Sequence, residues 1–209
     1  ETKEDHFFEG AWSGRITKGD FPSAFTFCGS GGKIEEKGLT LATATHTLQP
    51  IYIIRRKDVL FFSNSLPTIL SITEDGPLFS YRYYDFDFMS IMNGLKNYTP
   101  KIPTKNGNLW VEYFINIKVD DKLRVRREQK PIPNSFSDFN EYYLFLRNQT
   151  KLVVNNATDP QRRHPFYPLT TISSGYDSPT CAVIARENGC RHAITLDSAR
   201  PSFENTKDS

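Results

Sequence analysis

The segment of residues 169–180, with the sequence LTTISSGYDSPT, constrains the fold of this chain more than any other. It opens with an apolar, β-branched stretch that predicts a short strand up to Ile172. A small polar turn with Gly175 follows, and Pro179 opens an apolar run that predicts a helix ending near Gly189. This order directs unpaired backbone N–H groups and the positive end of a helix dipole at one point. The segment therefore predicts an anion-binding loop.

The loop resembles the pyrophosphate-binding signature Ser-Gly-Gly-x-Asp-Ser of the ATP pyrophosphatase superfamily. The residues that match it are Ser173, Gly175, Asp177 and Ser178. Ser174 stands in place of the first glycine of the signature. Residues 193–196 predict a second strand after the helix, as in that superfamily. Within the superfamily the chain is most similar to the asparagine synthetases.

A second stretch carries the resemblance to the asparagine synthetases further. Residues 49–54 and 59–67 are similar to the end of the family's glutaminase domain, where a Pro-Leu-Tyr strand pairs with a strand ending in Ala-Ser. That domain begins with a catalytic cysteine at its mature N-terminus. This chain begins with Glu1, and Cys28 is internal. We therefore expect no glutaminase activity.

The resemblance implies roles for individual residues in binding ATP and Mg²⁺. Hydroxyl and N–H groups for the β- and γ-phosphates are expected from Ser173, Ser174 and Ser178. Gly175 would let the phosphates approach the backbone and tolerates a positive φ, and Asp177 would help to hold Mg²⁺. Backbone contacts to adenine and ribose are expected from Thr195 and Leu196, at the end of the second strand.

The implied activity is that of an ATP-dependent ligase resembling an amidotransferase. It would adenylate a small-molecule carboxylate, release pyrophosphate and then transfer an amine, with Asp177 as the metal ligand. The alternative is a catalytically inert nucleotide-binding or scaffold protein of the same superfamily. Two simpler interpretations stay open from the residues alone: the loop binds no phosphate, or Asp177 only caps the helix.

The chain is expected to have an α+β fold in three parts. Residues 1–130 predict an antiparallel β domain that resembles the trailing part of a class II amidotransferase domain. Residues 131–164 predict a helix and connector after the boundary at Pro131-Ile132-Pro133-Asn134. Residues 165–209 predict the beginning of an α/β parallel-sheet domain that resembles adenine nucleotide α-hydrolases. The predicted strands of the first part are residues 39–47, 51–55, 59–63, 110–119 and 122–127.

Three patterns predict local packing. Residues 110–119 alternate in polarity, so every second residue from Val111 to Val119 is expected to lie on one face of a single strand. Ser135 or Ser137 is expected to cap a helix whose apolar stripe faces the core. The members of that stripe are Phe136, Phe139, Tyr143, Leu146 and Val153. The aromatic run 81–88 is expected to pack in the interior, and the basic run 122–127 to form a half-exposed strand edge.

Composition limits the possible partners and the compartment. A net charge of +2 gives no reason to expect a nucleic acid partner, and no apolar stretch is long enough for a membrane span. The cysteines Cys28, Cys181 and Cys190 lack paired spacing, so we expect buried, reduced thiols and a cytoplasmic location. The four histidines have no metal-ligand spacing, so zinc is not expected.

The predicted parallel strands 169–172 and 193–196 need neighbours, because parallel sheets are usually covered on both faces. A βαβ unit with only these strands has an open edge. We therefore expect further polypeptide, or a homo-oligomer partner, to complete the nucleotide domain.

Overall fold

The computed structural model describes residues 1–195. The described residues form two units, the first of Glu1–Gly10 and Gly19–Pro131, the second of Ala11–Lys18 and residues 132–195. Antiparallel sheets and a few helices make up an α+β fold, and the parallel component within residues 1–195 is a two-stranded sheet. None of the helices in this described part has the length and apolar composition of a transmembrane segment.

Two antiparallel sheets build the first unit. The five-stranded sheet has the order β1-β2-β3-β8-β9 and the four-stranded sheet the order β5-β4-β7-β6. The strands are β1 (His6–Trp12, whose last residues belong to the second unit), β2 (Phe27–Glu35), β3 (Gly38–Ala42), β4 (Ile51–Arg56), β5 (Val59–Ser63), β6 (Lys101–Thr104), β7 (Gly107–Glu112), β8 (Ile115–Asp120) and β9 (Val125–Gln129). The helices are α1 (Leu66–Ile72) and α2 (Tyr84–Met89), with 3-10 turns at Phe21–Ser23 and Ser90–Asn93.

The alternation of β4 divides the first unit into layers. Ile51 and Ile53 pack with β3 and β8 in a core between the two sheets. Ile54 points to the opposite face, where it packs with Ile69 of α1 and with side chains of α2. The four-stranded sheet is therefore covered on one face by the other sheet and on the other face by helices.

Residues 110–119 do not form the single strand that their alternation predicts. The chain breaks after Glu112, Phe114 adopts a φ of +54°, and β7 and β8 lie in different sheets. Val111 and Tyr113 pack in the core under the helices, whereas Ile117 packs between the sheets. The prediction is wrong because the apolar residues keep their alternation on both sides of Phe114. The sequence pattern therefore does not show that the backbone changes direction at this residue.

Other predictions for the first unit have mixed outcomes. The hairpin of β4 and β5 is confirmed, and the basic run contributes to the exposed edge strand β9. The strand predicted for residues 39–47 ends at Ala42. Residues 84–88 of the aromatic run lie in α2, where Phe88 packs in the core but Phe86 is 74% exposed, so the prediction of interior packing is only partly correct.

The second unit contains α3 (Phe139–Ala157), β10 (Leu169–Thr171), α4 (Asp177–Glu187) and β11 (His192–Ile194). Asp138, and neither predicted serine, caps α3 by accepting from the Glu141 N–H at 2.8 Å. The Glu141 carboxylate accepts in turn from the N–H of Ser137, the residue before the cap, at 2.6 Å and from its hydroxyl at 2.7 Å. Phe139 is 74% exposed, so the prediction that the whole stripe is core is wrong.

All three cysteines are free thiols, but only Cys190 is buried. Cys28 and Cys181 are exposed, which contradicts the prediction of buried thiols. Cys28 lies in β2 and Cys181 in α4, and both side chains are on the solvent-facing side of these elements. Apolar neighbours in the sequence were therefore a poor guide to the burial of these side chains.

Candidate functional site

The strand–loop–helix order predicted from the sequence is present in the second unit. β10 and β11 pair in parallel, with Leu169 opposite His192 and Thr171 opposite Ile194. The Ile172 N–H extends this ladder by donating to the Ile194 carbonyl at 2.9 Å. Both strands therefore end at the same edge of the sheet, where the loop after Ile172 begins.

A pair of serines closes the loop. The Ser173 N–H donates to Ser178 Oγ at 2.8 Å, and the two hydroxyl oxygens lie 2.7 Å apart. The Gly175 N–H donates to Ser173 Oγ at 3.3 Å. These hydrogen bonds hold the first and last residues of the loop together. This pairing was not predicted, although the Ser-x₄-Ser spacing could have suggested it.

The helix α4 begins at Asp177 without a side-chain cap. The interpretation that Asp177 only caps the helix is wrong, because Asp177 is the first residue of α4 and its side chain makes no capping hydrogen bond. The Ser178 hydroxyl pairs with Ser173 and does not cap the helix either. Pro179 lies in the first turn as predicted, and Gly189, with a φ of +94°, follows the last turn as predicted.

Three backbone donors at the start of α4 lack acceptors within residues 1–195. They are the N–H groups of Tyr176, Asp177 and Ser178. The first N–H groups of a helix have no intrahelical partner, and the helix dipole adds positive potential at the same point. The geometry therefore suits an anion at the loop.

Gly175 does not use the conformational freedom of glycine. Its φ lies outside the left-handed region, and a Cβ built there would meet only Ser173 Oγ, at 3.5 Å. The structure of the loop would thus accept alanine at this position. A requirement for glycine, if there is one, must come from a ligand that approaches the backbone.

The other predicted site residues lie around the same edge. Asp177 is exposed, and its carboxylate makes no ion pair within the described residues. Ser174 and Thr195 are also exposed, and Thr195 directly follows β11. Tyr176, the variable position, is 94% exposed. Leu196 lies outside the described residues.

The far end of α4 is anchored to α3. Glu187 accepts a hydrogen bond from the Tyr143 hydroxyl at 2.9 Å and pairs with Arg147 at 3.0 Å. The hydrogen bond to Glu187 raises the pKa of Tyr143 above its usual value. Cys190 donates from its thiol to the Pro168 carbonyl at 3.2 Å, which joins the beginnings of β10 and β11. The helix is thus fixed at the end opposite to the loop.

The possible metal ligands at the loop are few. Within residues 1–195, no group of three or more His, Cys, Asp or Glu side chains could hold an ion alone. Asp177 supplies one hard oxygen ligand, and Mg²⁺ commonly takes one or two carboxylates together with phosphate oxygens and water. The loop therefore fits Mg²⁺ only as a partner of a bound phosphate.

Comparison of the chain with protein-family models, with curated proteins and with solved structures finds no significant match. The interpretation of the loop rests on its residues and geometry.

Proposed function

We propose that the loop of residues 173–178 binds the β- and γ-phosphates of ATP together with Mg²⁺. The observation that carries the proposal is the group of unpaired N–H donors of Tyr176, Asp177 and Ser178 at the start of α4. Phosphates bind at helix N-termini of this kind because N–H groups and the helix dipole both favour negative charge. The resemblance of the loop to the pyrophosphate-binding signature supports ATP as the source of the phosphates.

The exposed carboxylate of Asp177 supports the metal. A carboxylate beside a triphosphate would repel it, whereas an intervening Mg²⁺ makes the same contact favourable. Thr195 and Leu196 are proposed to contact adenine and ribose, since ligands of open α/β sheets bind at the carboxyl ends of neighbouring strands.

The proposed reaction is ATP-dependent amide formation as in asparagine synthetases. A carboxylate oxygen of a small-molecule substrate attacks the α-phosphorus, the bond to the β-phosphate oxygen breaks, and pyrophosphate leaves. An amine then attacks the acyl carbon, loses a proton and displaces AMP. The role of this chain is to hold the leaving pyrophosphate at the loop and, through Asp177, to place the metal that neutralises its charge.

Apolar surface around the site supports a need for further polypeptide. A cleft of about 500 Å³ runs along α4 and is lined by Ile172, Val183 and Ala193 among others. Leu169 is 56% and Val183 57% exposed within the described residues. Surfaces of this kind in α/β proteins are covered by neighbouring strands and helices. We propose that additional polypeptide or a second copy of the chain completes the nucleotide half.

Nucleotide binding without catalysis is the second candidate function. Residues 172–180 contain no lysine or arginine, although phosphoryl transfer relies on cations that stabilise the transition state. Binding is therefore what this segment could support by itself. The three free thiols, two of them exposed, support a reducing compartment such as the cytoplasm.

Calorimetry with ATP and Mg²⁺ tests the nucleotide site. Asp177→Ala should weaken binding through loss of a metal ligand, and Gly175→Val should weaken it by blocking the approach of phosphate. Asp121→Ala and Gly76→Val are matched controls, because Asp121 lies in an exposed turn and a Cβ at Gly76 meets no atom within 4 Å. Equal ATP affinity in the wild-type chain and in both loop variants would refute the site.

Pyrophosphate release separates the two candidate functions. An assay with ATP and a panel of carboxylic acids should show acid-dependent release if the chain supports adenylation. ATP binding without release would instead favour the inert nucleotide-binding protein. Glutamine in the same assay tests the expectation that the chain releases no glutamate.

A further inference from the structure

A cavity of about 520 Å³ lies within the first unit. It lies between β1, an edge strand of the five-stranded sheet, and β5, an edge strand of the four-stranded sheet. Its floor is apolar. Phe8, Leu41 and Ile51 are each at most 4% exposed, and Phe62 of β5 completes this floor. The volume lies within the usual range of small-molecule sites, which combine an apolar lining with a few placed polar groups.

The polar groups at the rim of this cavity form one connected arrangement around Glu9. Glu9 Oε1 accepts a hydrogen bond from Gln49 Nε2 at 2.8 Å and another from the Asn64 side-chain amide. The same Asn64 amide donates to Ser30 Oγ at 3.0 Å. The carboxylate is therefore held in a fixed position by two carboxamides.

The two side chains that donate hydrogen bonds to Glu9 are neutral carboxamides. No lysine, arginine or histidine is among the described residues that line the cavity, and Glu9 makes no ion pair within residues 1–195. Glu1 also lines the cavity, but its carboxylate lies 3.3 Å from Lys3 Nζ and is paired. The α-ammonium group of Glu1 is also engaged, since it donates to the Phe8 carbonyl at 2.7 Å. Among the described lining residues, Glu9 is therefore the charged group that has no ionic partner.

We propose that this cavity binds an organic ammonium ion with an apolar body. The ammonium group would donate to the carboxylate of Glu9, whose Oε2 has remaining acceptor capacity, and the apolar body would lie on Phe8, Leu41, Ile51 and Phe62. An anionic ligand would be repelled by the same carboxylate. The site belongs to the first unit and does not depend on the nucleotide loop.

Two probes of similar shape test the site on the full chain. Titration of the ¹⁵N-labelled protein with 2-phenylethylammonium should shift the amide signals of Ser30, Gly31 and Ser63 in a saturable way. The neutral 2-phenylethanol should bind on the order of tenfold more weakly, because it offers no charge-assisted hydrogen bond. No saturable binding of the ammonium ion in the millimolar range, or equal affinity for the two probes, would overturn the proposal.

A charge-removing variant tests the role of Glu9. Glu9→Gln preserves the shape and an acceptor for Gln49 and Asn64, and it should weaken ammonium binding by on the order of tenfold with no change for the alcohol. Glu36→Gln removes the same charge from an exposed turn and should leave both affinities unchanged. Unchanged ammonium affinity in Glu9→Gln would contradict the site. If this variant does not fold, the comparison of the two probes on the wild-type chain still decides.

Discussion

The hydroxyl oxygens of Ser173 and Ser178 lie 2.7 Å apart and join the two ends of the loop between β10 and α4. The Ser173 N–H also donates to Ser178 Oγ, at 2.8 Å. Hydrogen bonds within the loop restrict its conformations, so that binding at the loop costs less conformational entropy. Ser173 and Ser178, which are predicted to contact phosphate, therefore also stabilise the loop.

Ser178→Ala should loosen the loop. The substitution removes the acceptor of the Ser173 N–H, and a net loss of about 1 kcal/mol is typical for one such hydrogen bond. Hydrogen exchange of the Ser173 amide should become faster, and ATP should bind several-fold more weakly. Ser135→Ala is the matched control, because Ser135 is exposed and lies outside any helix or strand. An unchanged exchange rate at Ser173 would contradict the role of the serine pair.

Local patterns predicted the second unit better than the first. The strand, loop and helix of residues 169–189 follow from contiguous signals: β-branched residues, a polar turn, Pro179 and Gly189. The cap of α3 could also have been found, since Asp138 and Glu141 have the three-residue spacing of an N-cap residue and a following glutamate. The serine pair of the loop was missed because a hydroxyl near a helix start has several competing acceptors and donors.

The features that the sequence did not predict depend on distant contacts or on one backbone angle. Phe114 has a φ of +54° and separates β7 from β8. A positive φ is uncommon for a bulky residue such as phenylalanine, so the sequence does not indicate this break. Glu9 meets Asn64 and Gln49 across 55 and 40 residues of sequence, so its position follows from the folded sheets alone. Topology, and not local pattern, creates the cavity.

Asp75→Asn should destabilise the first unit strongly. The side chain of Asp75 is fully buried, and its carboxylate accepts from Thr104 Oγ1 at 2.7 Å, from two backbone N–H groups and from Arg56. An asparagine would present N–H groups to some of these donors. Leaving a buried charge without its partner typically costs about 3–5 kcal/mol. Because Asp75→Asn removes the partner of Arg56, the free energy of unfolding measured in urea should fall by roughly 2–4 kcal/mol. Asp121→Asn should show almost none.

The pH dependence of unfolding checks the same carboxylate. Burial alone would raise the pKa of Asp75, but the hydrogen bonds from Thr104, Gly76 and Asn106 and the charge of Arg56 outweigh it and lower the pKa below 3.8. A depressed pKa contributes stability that is present above pH 3.8 and is lost as the pH falls through the lower folded value. The Asp75→Asn variant should lack this acid-dependent loss. An identical acid profile in both proteins would contradict the assignment.

Lys130 should make the chain more stable as the pH rises. Its side chain is buried, Nζ donates to Asn116 Oδ1 at 3.0 Å, and burial lowers the pKa of Lys130 to about 8. The unfolded chain therefore holds this proton more tightly between pH 8 and 10.5, and the free energy of unfolding should rise across that interval, by roughly 3 kcal/mol at most. Lys130→Met should abolish the rise, whereas Lys37→Met, in an exposed turn, should retain it.

The turn between β4 and β5 offers a stabilising substitution. β4 ends at Arg56 and β5 begins at Val59, so Lys57 and Asp58 form a two-residue loop in which Lys57 has a φ of +48° and Asp58 has no positive φ. That arrangement matches a type II′ turn, which prefers glycine at its first central position. Lys57→Gly should remove the cost of a left-handed side chain and stabilise the unit by about 1 kcal/mol in urea unfolding. Asp58→Gly should instead destabilise it or leave it unchanged, because glycine there only adds freedom to the unfolded chain. Stabilisation by Asp58→Gly, or destabilisation by Lys57→Gly, would show that the turn has a different conformation.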